Sequence, residues 1–286
     1  MTNLIDTRPT GPAAPLPPPR ALAGPPKRTP TAVRVLWKVF AALLIAATLV
    51  WGPYSVVTLL AHEEEVVEQT WPAAGINRLD VDNANGSIRI VASERETIDV
   101  RAEISHGLRR TGESREVVGD TLQLRGTCPL FGSNFCWVNY EIRVPTDLEI
   151  VVDGSNGTVT VTGSSAPLTL DNDNGSVQLA DVSGPVQATS DNGRVEGTGL
   201  LSRTVTADSD NGRVVLEFAE SPMTVVATSD NGRVEVVVPD DGTAYRLDIR
   251  SANGGETAEV PTDPNSDRTL TVRSDNGSVT ARTAAS

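Results

Sequence analysis

From residue 76 onward, apolar and polar residues alternate in short runs broken by turn residues, the pattern of strands with one buried face. The phase of the alternation is set by glycines. Aligned on them, the residues seven, five and three positions before and two after are apolar or small: Val186, Ala188, Ser190 and Val195 around Gly193, and Leu270, Val272, Ser274 and Val279 around Gly277. The intervening residues, such as Thr189, Asp191, Arg194 and Glu196, are predicted to face solvent.

The glycines belong to Asn-Gly corners that recur along the chain: Asn85-Gly86, Asn156-Gly157, Asn174-Gly175, Asn192-Gly193, Asn211-Gly212, Asn231-Gly232, Asn253-Gly254 and Asn276-Gly277. From Gly157 the intervals are 18, 18, 19, 20, 22 and 23 residues, a near-constant period that marks stacked repeats. Asn-Gly between strands also suits a meander of hairpins. Independent hairpins, however, have no reason to keep their corners in step. The expected fold is therefore all-β, a β-solenoid whose short strands pair in parallel with counterparts one repeat away. In that frame Asn and Gly take a left-handed corner conformation, and Ser at minus three turns inward to bond a stray backbone group. Second turns fall at Gly184-Pro185, Gly199, Ser221-Pro222 and 240–242. Residues 151–286 carry the regular repeats, and the less regular 76–150, with longer alternating runs at 98–104 and 137–144, are expected to cap them.

Before residue 76 the pattern changes. Val39–Ala61 is 23 residues without a charge, about 35 Å as a helix and enough to span a bilayer core. With its basic flank it defines a transmembrane segment over 34–61; a cleavable signal peptide is the competing reading. Arg28, Arg34 and Lys38 precede it and Glu63, Glu64 and Glu65 follow, which places the N-terminus in the cytoplasm and the rest outside the cell membrane, a single-pass topology. Residues 1–33 hold nine of the 19 prolines and are expected to be a disordered tail. Residues 62–75, acidic and then Trp71-Pro72, are expected to form a short stalk with a helical start.

The net charge of −13 conceals an asymmetry: six basic residues precede position 39 against one acid, whereas 62–286 carry 18 Arg, no Lys and 36 acids. Such acidity argues against nucleic acid as a partner. Cys128 and Cys136, in the exported part, are expected to form a disulfide; a free pair or half of a metal site are the alternatives, but the sequence offers no second cysteine pair.

Candidate chemistry is thin. His62 and His106 are the two histidines, and no metalloprotease, nucleophile-elbow or phosphate-loop motif occurs. Asp171–Gly175 begins like a calcium loop, but Val182 stands where a bidentate Glu belongs; weak surface calcium at Asp171, Asp173, Asp191, Asp210 and Asp230 is the one cofactor reading, none being expected otherwise. Arg194, Arg213 and Arg233 beside Asp191, Asp210 and Asp230 would stack into parallel rows of opposite charge, either a self-compensating solvated face or a binding face.

The repeated SDNGRVE and SDNGSV units, preceded by the SGPV turn at 183–186, resemble the DUF4097 family of bacterial adhesin-like proteins with β-strand repeats, over roughly residues 76–284. The resemblance implies a membrane-tethered cell-envelope β-solenoid and supplies no catalytic residues. The expected function is non-catalytic binding or scaffolding of a cell-wall polymer, glycan or envelope protein. A stress sensor signalling through its N-terminal tail, with Pro17–Pro19 as a docking segment, is one alternative. A β-helix enzyme acting on polysaccharide through a carboxylate pair is another.

Overall fold

The computed structural model describes residues 31–60, 62–129 and 135–284, and the tail expected over 1–33 lies, up to residue 30, outside them. Two compact units divide at Pro53/Tyr54. The first is built on helix α1 (Thr31–Leu60), which starts three residues before the expected basic flank and accommodates Pro53. Its stretch Val35–Pro53, 19 residues, is long and apolar enough to cross a membrane, a property shared by signal sequences.

Beyond the end of α1 the second unit is all β. Strand β1 (Glu63–Pro72) occupies the segment expected as a stalk: triplet acids notwithstanding, it is extended and pairs antiparallel with β4 (Thr97–His106) along its whole length. The partner strand, invisible to a local reading of 62–75, decides this. The remaining strands are β2 (Arg78–Asn83), β3 (Ile88–Ser93), β5 (Gly112–Val118), β6 (Thr121–Thr127), β7 (Trp137–Pro145), β8 (Glu149–Thr162), β9 (Leu168–Ala180), β10 (Val186–Ser190), β11 (Val195–Leu200), β12 (Thr204–Ser209), β13 (Val214–Phe218), β14 (Thr224–Ser229), β15 (Val234–Val238), β16 (Arg246–Ser251), β17 (Glu256–Glu259), β18 (Thr269–Ser274) and β19 (Val279–Thr283).

They form two parallel ladders. The first runs β6-β2-β8-β9-β10-β12-β14-β18-β16. The second runs β7-β3-β8-β9-β11-β13-β15-β19-β17. β8 and β9 pass unbroken through the corner and belong to both ladders, joining them into a single sheet that does not close. Equivalent residues stack in register, so that Val186, Val205, Val225 and Leu270 form one inward row and Val195, Val214, Val234 and Val279 another, all buried in one continuous core. The alternation read from the sequence is this inward and outward facing.

Sequence order fails at both ends. β18 and β19 insert between the β14/β15 repeat and the β16/β17 repeat, so the C-terminal strands are second to last in space. Likewise β2 and β3 lie between β6/β7 and β8. The end formed by β6 and β7 is closed by antiparallel additions, β5 on β6 and β4 then β1 on β7. The Glu113–Arg115 ion pair is buried at this end, with the Tyr140 hydroxyl donating to Glu113 at 3.5 Å. Burial, reinforced by the Glu113 carboxylate, holds the Tyr140 phenol far above its usual range.

Candidate functional site

All eight Asn-Gly corners stack on one edge of the unit, where chains pass from the first ladder to the second. Their chemistry differs from the sequence expectation. Among them only Gly86 (φ 124°) and Gly157 (φ 138°) have left-handed backbone, and no corner Asn does. The glycines are required by crowding instead: a Cβ on Gly193 would stand 1.6 Å from the Gly175 carbonyl oxygen, and one on Gly212 1.5 Å from that of Gly193. Glycine is the residue whose absent side chain lets one repeat's backbone approach the next so closely.

Beside each glycine runs a polar row inside the corner. Ser190, Ser209, Ser229, Ser274 and Ser251 donate their hydroxyls to the carbonyls of Gly175, Gly193, Gly212, Gly232 and Gly277 at 2.7–2.9 Å. In the earlier repeats Asn172 does the same to Gly157 at 3.0 Å and Asn83 to Val138 at 2.9 Å. Their larger amides are accommodated by glycine in the adjoining repeats: a Cβ on Gly126 would meet Asn83 Oδ1 at 2.3 Å, and one on Gly154 would meet Asn172 Oδ1 at 2.9 Å. The inward serine of the sequence reading is present, and its acceptor is now specified.

A third row is exposed. In five corners the Asn amide nitrogen donates to the amide oxygen of its neighbour, Asn253 to Asn276, Asn276 to Asn231, Asn231 to Asn211, Asn211 to Asn192 and Asn192 to Asn174, at 3.0–3.1 Å. Nothing in single-repeat periodicity announces this ladder, although an exposed Asn at the same phase of each repeat was a usable signal. The Cys128–Cys136 disulfide, S–S 2.00 Å, stands at the equivalent corner of the outermost repeat, between β6 and β7, where Asn85 donates to Cys128 Sγ at 3.1 Å.

The charged rows divide otherwise than expected. Arg194 and Arg213 both reach Glu196, at 3.3 and 2.8 Å, and Arg233 donates to Ser278 at 3.2 Å. Asp191, Asp210 and Asp230 are exposed and enter no ion pair among the described residues. The aspartates follow the strands of the first ladder and the arginines precede those of the second, and no ion pair among the described residues joins the two rows. Asp82, Asp153 and Asp171 lie side by side on adjacent strands of the first ladder. Partial desolvation and then the carboxylates of Asp82, Asp171, Asp173 and Asp80 raise Asp153 above its ordinary value. No group of three or more His, Cys, Asp or Glu side chains among the described residues is arranged to hold a metal ion.

A polar concavity lies where parallel pairing gives way to antiparallel. A hollow of about 460 Å³ is lined by Glu68, Gln69, Thr70, Asp99, Arg101, Glu141 and Arg143, and a second of about 220 Å³, sharing Arg101 and Glu141, adds Ser87, Arg89, Glu103 and Asn139. Arg101 pairs with Glu68 at 2.8 Å and lies 3.9 Å from Glu141, while Arg89 and Arg143 enter no ion pair among the described residues. Sequence reading missed this groove because its residues come from β1, β3, β4 and β7, brought together by the cap. The histidines stand apart from it: His62 faces Glu64 at 3.3 Å and His106 faces Glu65 at 3.5 Å.

Fold and surface together define an all-β repeat protein with a membrane-length N-terminal helix. Among solved structures, a "putative cell adhesion protein" from Clostridium sporogenes matches at 10% identity and TM-score 0.36, covering 78% of this chain and 100% of its own. A "putative adhesin" from Bacteroides fragilis matches at 14% identity and TM-score 0.35, with 77% and 97% covered, and one from Parabacteroides distasonis at 15% and 0.31, with 76% and 97% covered. No protein-family model matches the chain, and no curated protein matches it.

Proposed function

We propose that this chain is a single-pass envelope protein of the DUF4097 adhesin-like kind, which displays a β-solenoid outside the cytoplasmic membrane and binds or scaffolds an envelope polymer without turnover. The observation that carries the reading is the commitment of the corner Ser and Asn side chains to their neighbouring repeats. Ser hydroxyls, Asn amides and glycine carbonyls are joined from Asn174 to Asn253, leaving a rigid body whose chemistry resides in its outward rows. Stacked repeats of this kind present regularly spaced groups, suited to a polymer that is itself repetitive. Binding falls to the groove of Arg89, Arg101 and Arg143, whose two unpaired guanidiniums face out of an otherwise acidic unit and suit the anionic or hydroxyl-rich groups of a glycan.

The location is tested with a C-terminal epitope on the full chain in intact cells. External protease should remove the epitope while an N-terminal tag survives; an epitope protected until the cells are permeabilised contradicts the proposed topology.

A further inference from the structure

The eight Asn-Gly corners share one sequence chemistry but not one environment. In any Asn-Gly pair the backbone nitrogen of glycine can attack the asparagine side-chain carbonyl carbon; the C–N bond of the amide breaks, ammonia leaves, and a cyclic succinimide forms. Water then opens the ring to aspartate or isoaspartate, so the net change is consumption of one water and release of one ammonia, with no redox step. The reaction needs a side chain free to swing over its own backbone and a glycine nitrogen free to attack, and glycine offers no Cβ to obstruct it.

In the interior repeats the side chain is not free. Asn192, Asn211, Asn231 and Asn276 are each held at both ends, the nitrogen donating to one neighbour and the oxygen accepting from the other. Asn85-Gly86 is held through its nucleophile, since the Gly86 N–H donates to Asn156 O at 2.9 Å. Asn156-Gly157 and Asn174-Gly175 lie within the unbroken strands β8 and β9.

Asn253 differs in the hold on its side chain and in its exposure. It ends the ladder, so its nitrogen is held by Asn276 at 3.1 Å but its oxygen accepts no hydrogen bond among the described residues. Gly254 and Gly255 are both exposed, whereas Gly193, Gly212, Gly232 and Gly277 are half-buried. A Cβ on Gly255, the next residue, would meet nothing within 4 Å, although Gly254 itself is packed against the Gly277 carbonyl as the interior glycines are packed against theirs. The flanking β16 and β17 are edge strands, paired on one side only.

We propose that Asn253 is a modification site, the one corner of the stack that undergoes hydrolytic deamidation in the folded protein. Conversion replaces the donor facing Asn276 Oδ1 with a carboxylate oxygen, setting two acceptors against each other. The isoaspartyl product also lengthens the backbone at the corner. Both changes loosen the terminal repeat and leave the interior intact, so the stack ages from its free end.

The experiment ages the full-length protein in detergent at mildly alkaline pH and maps it by tryptic digestion and mass spectrometry against an unaged sample. Four corners are each reported by their own peptide: 251–268 for Asn253, 204–213 for Asn211, 214–233 for Asn231 and 274–282 for Asn276. Fragmentation separates Asn253 from Asn265 within the first. The folded protein should deamidate at Asn253 several-fold faster than at the other three, with isoaspartate present, and Asn253→Gln should remove that signal. A parallel sample unfolded in denaturant should convert all four at similar rates, which isolates the folded environment as the cause. Equal rates in the folded protein, conversion at Asn265 in place of Asn253, or an Asn253 as inert as the interior corners over the same period overturns the proposal.

Discussion

At the interior corners each glycine Cα faces the carbonyl oxygen of the glycine one repeat away, at a distance that excludes any side chain. Gly212→Ala should therefore lower stability by about 1–3 kcal/mol or more, since backbone of two repeats must part, while Gly255→Ala in open space should change it little. Urea unfolding of the two variants compares them. Ser209→Ala leaves the Gly193 carbonyl without its donor and should cost about 1–3 kcal/mol by the same measurement. At the crowded aspartates the sign is opposite. Asp153 has a folded-state value above its ordinary one, so the native protein protonates first as pH falls, and repulsion that weakens the fold near neutrality is relieved below that value. Asp153→Asn should raise the melting temperature slightly at neutral pH, by less than about 1 kcal/mol in stability, with the gain vanishing in acid. The inward serines were legible in the sequence because period two fixes their side. The reason for glycine was not, because it depends on a carbonyl some 20 residues away in the chain, beyond any local preference for φ.

Among the elements, the two parallel ladders follow from the repeat, but the order of their ends does not. Every repeat has the same corner, so any could in principle stack on any other, and which lies outermost is settled by residues that break the pattern. In the outermost repeat, β16/β17, the position filled by Val177, Val195, Val214, Val234 and Val279 elsewhere holds Glu256, whose carboxylate accepts the Ser251 N–H at 2.8 Å. A charge on the inward row ends the stack, a known protection of sheet edges. Glu256→Val should restore a continuous apolar row at the free end and give concentration-dependent self-association in sedimentation, with wild type remaining monodisperse. Removal of 264–286 takes away β18 and β19, the strands that join β16 and β17 to the rest. Hydrogen exchange should then show loss of protection across 246–259 and retention across β10–β13. β1 escaped the sequence reading for a related reason: its burial pattern is almost wholly exposed, and its strand state comes from antiparallel pairing with β4.

For the whole molecule, the sequence shows a net acidic repeat unit after a membrane-length helix, and the structure bears out an all-β unit following α1. The groove of Arg89, Arg101 and Arg143 arises from β1 and three strands of the irregular 76–150 region, which periodicity describes least well. The expected Asp and Arg rows have separated, and their arginines are engaged at Glu196 and Ser278. The recognition proposed for this protein is accordingly assigned to the cap, with the regular stack as its support. The most direct test is equilibrium binding of the full-length protein in lipid nanodiscs to isolated cell-wall fragments, comparing wild type with Arg89→Ala/Arg143→Ala and assaying the fragments for cleavage. The account predicts saturable binding that weakens about tenfold or more in the variant, consistent with the loss of two guanidinium contacts, and wall fragments recovered unchanged. Absence of binding by the wild type, undiminished binding by the variant, or shortened wall polymer would contradict it.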